Sequence, residues 1–278
     1  MKAYTDEIIN TINKYIPKND DEWQFLGFIN RRQDIYAFGS DSKIIGRLFE
    51  VVVVDALSKA AQDLNYVLHE SHTQTVYPDF YFEKPDGKRI AVDIKTTYRR
   101  SKSAKYGFTG GSFTSFMRNG TKNIDGNYSD YEKHYILGIV YTREETPFQG
   151  KTELHNLDSI LPAYRDVECF VQEKYRICGD KKGSGNTDNI GTIKYNTIKP
   201  FEYGAGPFAF LGKEVFLDYW TNHPKYTDSD QVKKALFNDL PSYFSWVKKS
   251  DPQKADTLSK KYSEYLAFTE IKNQNNWQ

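Results

Sequence analysis

Cysteine is scarce: Cys169 and Cys178 are the two in 278 residues. Two thiols nine apart on a strand-like stretch match no zinc-ligand pattern, and a chain of this length does not need a disulfide framework. A reducing, cytoplasmic compartment is expected. Long apolar runs are missing as well. None approaches the roughly 20 residues of a membrane span, so no membrane partner is expected. The stretch Met1 to Ile16 interleaves charges where a secretory signal would carry an apolar block. Surplus charge is missing too. With 38 basic and 37 acidic residues the formal net charge is +1, so any nucleic-acid surface has to be a local patch. There is no internal repeat, no low-complexity tract and no clear linker.

Aromatic residues are plentiful, with 21 Tyr and 18 Phe. They can build a core, and the tyrosines can add polar contacts at an interface. Apolar spacing at Ile8, Ile9, Ile12, Tyr15 and Ile16 predicts a helix over 5–16 with a cap at Thr5. A second helix is expected over 42–64, apolar around most of its circumference and therefore largely buried. Its polar stripe carries Lys43, Arg47 and Glu50. Strands are expected over 78–83, 88–98, 134–142 and 166–177, then a loop over 179–191 rich in Gly, Asn and Asp. Helices return over 215–222, 230–248 and 254–272. One α/β domain spanning 1–278, with a helical C-terminal section over 223–278, is the simplest reading.

The chemistry concentrates in one hairpin. In Arg89-Ile90-Ala91-Val92-Asp93-Ile94-Lys95, the apolar Ile90, Val92 and Ile94 alternate with Arg89, Asp93 and Lys95. Successive strand side chains point to opposite faces, so Asp93 and Lys95 share one. The Pro85-Asp86-Gly87 turn signal, if centred on Asp86, pairs residues whose numbers sum to 172 and sets Asp79 opposite Asp93. Directly opposed residues have Cβ atoms about 4.5–5.5 Å apart. Two carboxylates that close repel unless a cation lies between them. Mg²⁺ suits the pair, because it prefers oxygen ligands and usually takes one or two carboxylates with phosphate and water. Lys95 beside them can face a phosphate oxygen or the attacking water, as phosphodiester hydrolysis requires. The bland alternative is a solvated polar face with an ion pair.

The order Pro78-Asp79 and Asp93-Ile94-Lys95 resembles the PD-(D/E)xK motif of type II restriction endonucleases. The surrounding segments narrow the resemblance to the EcoRV family. They are Gly39-Ser40-Asp41-Ser42-Lys43, Phe49-Glu50, Tyr77-Pro78-Asp79-Phe80, Thr114-Ser115-Phe116, Thr121-Lys122-Asn123-Ile124, Gly183-Ser184-Gly185-Asn186-Thr187 and Phe216-Leu217-Asp218-Tyr219-Trp220. The likeness covers about 25–222 and is weak at both ends. It implies a restriction-endonuclease-like fold, a mixed central β-sheet flanked by helices, in a homodimer that clamps double-stranded DNA. By the same resemblance Asp79, Asp93 and Glu50 bind Mg²⁺, and Lys95 positions or activates the attacking water.

Gly183, Ser184, Gly185, Asn186 and Thr187 resemble the family's recognition loop, which enters the major groove. Glycines let backbone groups approach base edges, Asn pairs bidentately with adenine, and a Thr methyl packs on a thymine methyl. Gln74, Lys43, Thr109, Ser115 and Lys122 fall in segments the family uses for DNA. As ordinary structure, Asp41 would cap a helix and Thr109 and Ser115 would serve strands and turns. Basic residues also gather after Asp93, at Lys95, Arg99, Arg100, Lys102 and Lys105. Two departures bear on specificity: His72-Thr73-Gln74-Thr75 keeps little of the family's amide-rich pattern, and Asp188 brings a carboxylate close to phosphates. Cleavage at GATATC to blunt ends is the expectation from resemblance, with a methyltransferase acting on the same site. The alternatives are a structure-specific or repair nuclease of the same fold, and a catalytically inert DNA-binding module.

Overall fold

The computed structural model describes residues 3–73, 76–183, 188–225 and 227–277, with the backbone alone at 233–235. Helix α1 (Glu7–Tyr15) buries Ile8, Ile9 and Ile12 on one face. Its cap is Asp6, not Thr5: the Asp6 carboxylate accepts the Ile9 N–H at 3.0 Å, while Thr5 bonds the Asn10 side chain. Strands β1 (Phe28–Ile29) and β2 (Asp34–Phe38) follow. Helix α2 (Ser42–Leu64) starts at Asp41, whose carboxylate accepts the Lys43 and Ile44 N–H groups. It ends at Asn65, which takes the left-handed conformation common at helix C-termini. The helix is less buried than expected. Ile45, Phe49, Val53, Leu57 and Ala61 form a buried stripe at i+4 spacing, and Val51 on the far side is 58% exposed.

Five strands then build the main sheet: β3 (Val67–Glu70), β4 (Phe80–Glu83), β5 (Arg89–Arg99) and, beyond β6 (Thr109–Ser112), β7 (Tyr131–Arg143) and, beyond β8 (Gln149–Glu153), β9 (Tyr164–Glu173). Their order is β3-β4-β5-β7-β9, with β5 and β7 parallel and the other pairs antiparallel. This is the expected mixed sheet flanked by helices. One face packs on α1 and α2, where Ile90, Val92, Ile94, Leu137 and Ile139 meet Ile12, Phe49 and Val53. The other face carries Ile136, Val140 and Phe170, and also Tyr77, Tyr81 and Ala91. The central strands are therefore buried on both sides, as parallel strands generally are.

The expected strand over 166–177 is interrupted. A single turn, α3 (Lys174–Ile177), separates β9 from β10 (Cys178–Lys182). The expected loop over 179–191 is in part a ladder: β10 pairs with β11 (Asn189–Thr192), and β11 pairs with β6. Short helices α4 (Lys199–Tyr203) and α5 (Phe208–Leu211) lead to α6 (Lys213–Asn222). The helix expected over 230–248 is split into α7 (Asp230–Ala235) and α8 (Leu240–Val247). Asp239 caps α8, and Pro241 in its first turn lacks the N–H a continuous helix would need. Helix α9 (Pro252–Gln274) closes the section. These helices build a second core around Phe208, Tyr219, Trp220, Phe237 and Tyr243, which also takes in Phe113, Cys178 and Ile190 from the small ladder. Both cysteines are free. Among the described residues, no helix is long and apolar enough to cross a membrane.

Gly138 marks the tightest point of the main sheet. It pairs with Lys95 on one side and Phe170 on the other. A Cβ on Gly138 would fall 2.2 Å from the Phe170 ring, which is itself buried. Gly138→Ala is expected to cost about 1–3 kcal/mol through overpacking, read as a lower urea midpoint. An unchanged midpoint would show that the ring can move aside.

Candidate active site

The site grows from the pairing of β4 with β5. Phe80 pairs with Val92 and Phe82 with Ile90, so paired numbers sum to 172 as the turn signal predicts. The pairing ends at Phe80 with Val92; Asp79 stands one residue before β4 and Asp93 one residue beyond Val92, so both acids lie at the same end of the hairpin. The chain entering Asp79 is pinned from both sides. The Tyr77 N–H donates to the Asn123 carbonyl at 3.0 Å, and the Asp125 N–H donates to the Tyr77 carbonyl at 2.9 Å. The Ser71 hydroxyl donates to the Pro78 carbonyl, and the Ser71 N–H donates to that of Asp79. The Tyr77 hydroxyl shares a buried 2.7 Å hydrogen bond with His134 Nδ1.

Asp79 Oδ2 accepts the Ile94 N–H at 2.6 Å. Lys95 Nζ lies 2.7 Å from Asp93 Oδ2 and 4.0 Å from Asp79 Oδ2. Asp93 is 3% exposed, so its face is not the solvated one that the bland alternative requires. The Asp93–Lys95 contact is a close ion pair that engages the buried Asp93 Oδ2. Burial, reinforced by Asp93, pushes the Asp79 carboxyl up to about 7. Burial alone would lower the Lys95 ammonium, but Asp93 and Asp79 outweigh it and hold it above its usual range. Lys95 is thus a cation at neutral pH, suited to face a phosphate oxygen.

Two carboxylates held at one end of the hairpin, one of them buried, form an oxygen-only set of the kind a hard divalent ion takes. Among the described residues, no group of three or more potential ligands gathers. The fit is to an ion held by two carboxylates, with its remaining positions open to water and phosphate.

A cleft of about 590 Å³ opens beside Asp79 and is lined by Lys43, Arg47, Glu50, His72 and Thr96. The polar stripe of α2 faces it as expected. Glu50 pairs with Arg47 at 2.6 Å, and Arg47 also reaches Glu70 at 3.7 Å. Glu50 therefore shares the cleft with Asp79 while its carboxylate is engaged by arginine. Arg47 and Thr96 were not singled out as site residues, although the helical stripe named one and the neighbouring Lys95 pointed to the other.

The remaining candidates fall in different places. Lys43 is exposed at the mouth of the cleft. Asp41 serves as the helix cap. Thr109 lies in β6, paired with Gly191. Ser115 is buried and donates to the Lys122 carbonyl at 2.7 Å, while Lys122 is exposed. The Gly183 N–H donates to the Asn189 carbonyl at 2.8 Å. Gln74 and Ser184, Gly185, Asn186 and Thr187 lie outside the described residues. Asp188 pairs with Lys182 at 3.4 Å, which offsets its charge. The basic run after Asp93 is not one surface patch. Lys95 is tied to the buried Asp93, Arg99 is itself buried and pairs with Glu168, Lys102 pairs with Asp166, and Arg100 and Lys105 are exposed.

Comparisons with known proteins identify the family. The model of the family described as Restriction endonuclease EcoRV matches residues 19–248. The type II restriction enzyme EcoRV of Escherichia coli is 38% identical over 240 residues, which is 85% of this chain and 95% of that one. The NlaIV restriction endonuclease aligns over 99% of this chain and 91% of its own at 13% identity and a TM-score of 0.36, too slight a likeness to argue from. On the extent of the family match and the identity to the E. coli enzyme, the chain belongs to the EcoRV family of type II restriction endonucleases.

Proposed function

We propose that this endonuclease works as a homodimer with Mg²⁺ held by Asp79 and Asp93, and that it cuts double-stranded DNA at GATATC to leave blunt ends. The observation that carries the metal site is the placement of Asp79, Asp93 and Lys95 at one end of a buried hairpin. A Mg²⁺ ion there supplies Lewis acidity toward the phosphodiester. Lys95 presents its ammonium to the phosphoryl oxygens and orients the attacking water. Glu50 is the auxiliary carboxylate, available to the site when Arg47 turns to another anion such as a phosphate. Lys43, Thr109, Ser115 and Lys122 belong to the segments that meet the DNA backbone, Ser115 through the turn it fixes. Gln74 and the Gly183–Thr187 segment read the bases. The GATATC assignment is supported by the likeness of that segment to the family's recognition loop. A repair nuclease or an inert module finds no support in a restriction family with all three acid and lysine positions kept. A cytoplasmic setting, with a methyltransferase guarding the same site, fits this role.

The dimer reading is supported by an unpartnered surface. Strands β1, β2 and β8 form a separate three-stranded sheet. Its inner side is covered, with Ile35 and Ala37 buried. Phe28 and Tyr36 pair across β1 and β2 and are exposed. Ile29, 62% exposed at the end of β1, and Leu154, Leu157 and Leu161 of the segment after β8 are exposed as well. Exposed apolar side chains on one small sheet and the segment that follows it suit an interface, and a two-fold dimer would place the same residues on both sides of it.

Digestion of a fully sequenced plasmid with and without Mg²⁺, followed by sequencing of the fragment ends, tests the whole reading. Blunt, Mg²⁺-dependent ends at GATATC are expected. Ends at another palindrome would overturn the sequence assignment alone. Asp93→Ala is expected to slow cleavage at least 10³-fold while DNA binding in Mg²⁺-free buffer persists; cleavage near the parent rate would remove Asp93 from the site. A divalent ion must displace the proton that Asp79 holds below about pH 7. Mg²⁺ affinity in calorimetry is therefore expected to rise with pH and to level off above 7, and Asp79→Asn should abolish that dependence. A flat profile in the parent protein would count against Asp79 as a ligand. Ile29→Asp is expected to give monomers in sedimentation velocity, and an unchanged dimer would move the interface elsewhere.

A further inference from the structure

Lys174, the first residue of α3, is 1% exposed. Its Nζ has no hydrogen-bond partner among the described residues. It lies 4.7 Å from the centre of the Tyr77 ring and 4.6 Å from that of Phe116. Those two rings are stacked on each other, 4.2 Å apart and 18° from parallel. The ammonium lies over both rings within cation–π distance. Such a contact is worth about 2 kcal/mol when desolvated, less than the cost of burying the charge.

A buried ammonium without hydrogen bonds costs several kcal/mol relative to a well-packed apolar side chain. Burial pushes it down only to about 8, so it remains charged at neutral pH. Asp93 is the leading acid that acts to keep it charged. With Asp79 ionised, the two aspartates and the two lysines, 95 and 174, balance. The rings that Lys174 touches also matter by position. Tyr77 leads directly into Pro78 and Asp79. Phe116 belongs to the segment that holds Ser115, and Lys174 itself stands four residues before β10.

We propose that Lys174 is a positioning residue of the nuclease site, its buried ammonium seated against the Tyr77–Phe116 stack that leads the chain into Asp79 and its charge answering that of Asp93. The inference rests on the assignment of Asp79 and Asp93 as the catalytic acids. A side chain kept only for packing would be better as Met, which is close to the lysine in length and removes the cost of burying a charge. The two roles therefore predict opposite behaviour.

The test uses the full-length protein with Lys174→Met. Expected are a metal-free Tm equal to or above that of the parent, DNA affinity in Mg²⁺-free buffer within about threefold, and a single-turnover cleavage constant at saturating Mg²⁺ at least tenfold lower. A cleavage constant equal to the parent's overturns the proposal. So does failure of Lys174→Met to fold, which would make the lysine part of the scaffold. A second measurement does not depend on activity: a double-mutant cycle on metal-free stability with Asp93→Asn. Non-additive shifts in Tm are expected, because each change removes the other's partner, and additive shifts overturn the charge coupling. If the parent protein cuts no DNA, the site assignment fails on its own, while the cycle still reports whether Lys174 and Asp93 interact.

Discussion

The pairing of β4 with β5 is the constraint from which the site follows. Gly87, at φ +79°, lets the chain turn within a loop closed by the Lys84 N–H on the Lys88 carbonyl. That turn fixes the register, and the register decides which side chains share a face. A slip of one residue would move Asp93 to the face of Phe82 and bring an apolar residue opposite Asp79. The slip is opposed from outside the hairpin as well, because β3 pairs with β4 and β7 with β5 along its whole length. Opposed acids destabilise a hairpin. Here the surrounding sheet imposes the pairing, and Lys95, two residues beyond Asp93, returns to the same face and offsets the repulsion.

Burial on both faces of the central strands gives these groups their chemistry. A carboxylate on an open sheet would turn to water. Asp93 is buried and cannot. Asp79, with its own oxygen fixed by the Ile94 N–H, responds by holding a proton up to about pH 7. The protein therefore keeps an arrangement that weakens the metal-free state. Such an arrangement is retained where a bound cation or substrate relieves it.

Much of this was legible in the sequence. The alternation Ile90-Val92-Ile94 and the Pro85-Asp86-Gly87 turn specify the register, and α2 spans the same residues that its apolar spacing and the Asp41 cap predict. What was not legible depends on partners distant in sequence. Strands β1, β2 and β8 are short, and their pairing joins residues more than 100 positions apart, as in Tyr36 with Lys151. The break at α3 had no proline or glycine to announce it. In Glu173-Lys174-Tyr175-Arg176 the lysine reads as surface, and only the packing of Tyr77 and Phe116 around it places it inside. The charge run after Asp93 misled for the same reason, since local counting cannot see Glu168 or Asp166 across the sheet.

The two cores divide the labour of such an enzyme. The main sheet with α1 and α2 holds the acids and the lysine. The C-terminal helices support β6, β10 and β11, the ladder on either side of the segment expected to read bases. An enzyme that cuts only at its own site needs the two to be mechanically linked. The structure gives such a link a short path. The chain runs from β9 of the main sheet through α3 into β10 of the ladder, and Phe116 and Met117 lie between the two cores. A shift of the ladder relative to the sheet would act first on this junction, where the stacked rings of Tyr77 and Phe116 sit one residue from Pro78. The acid at the end of that path, Asp79, is tied to β5 by the Ile94 N–H, which makes this junction the place where the two cores meet the site.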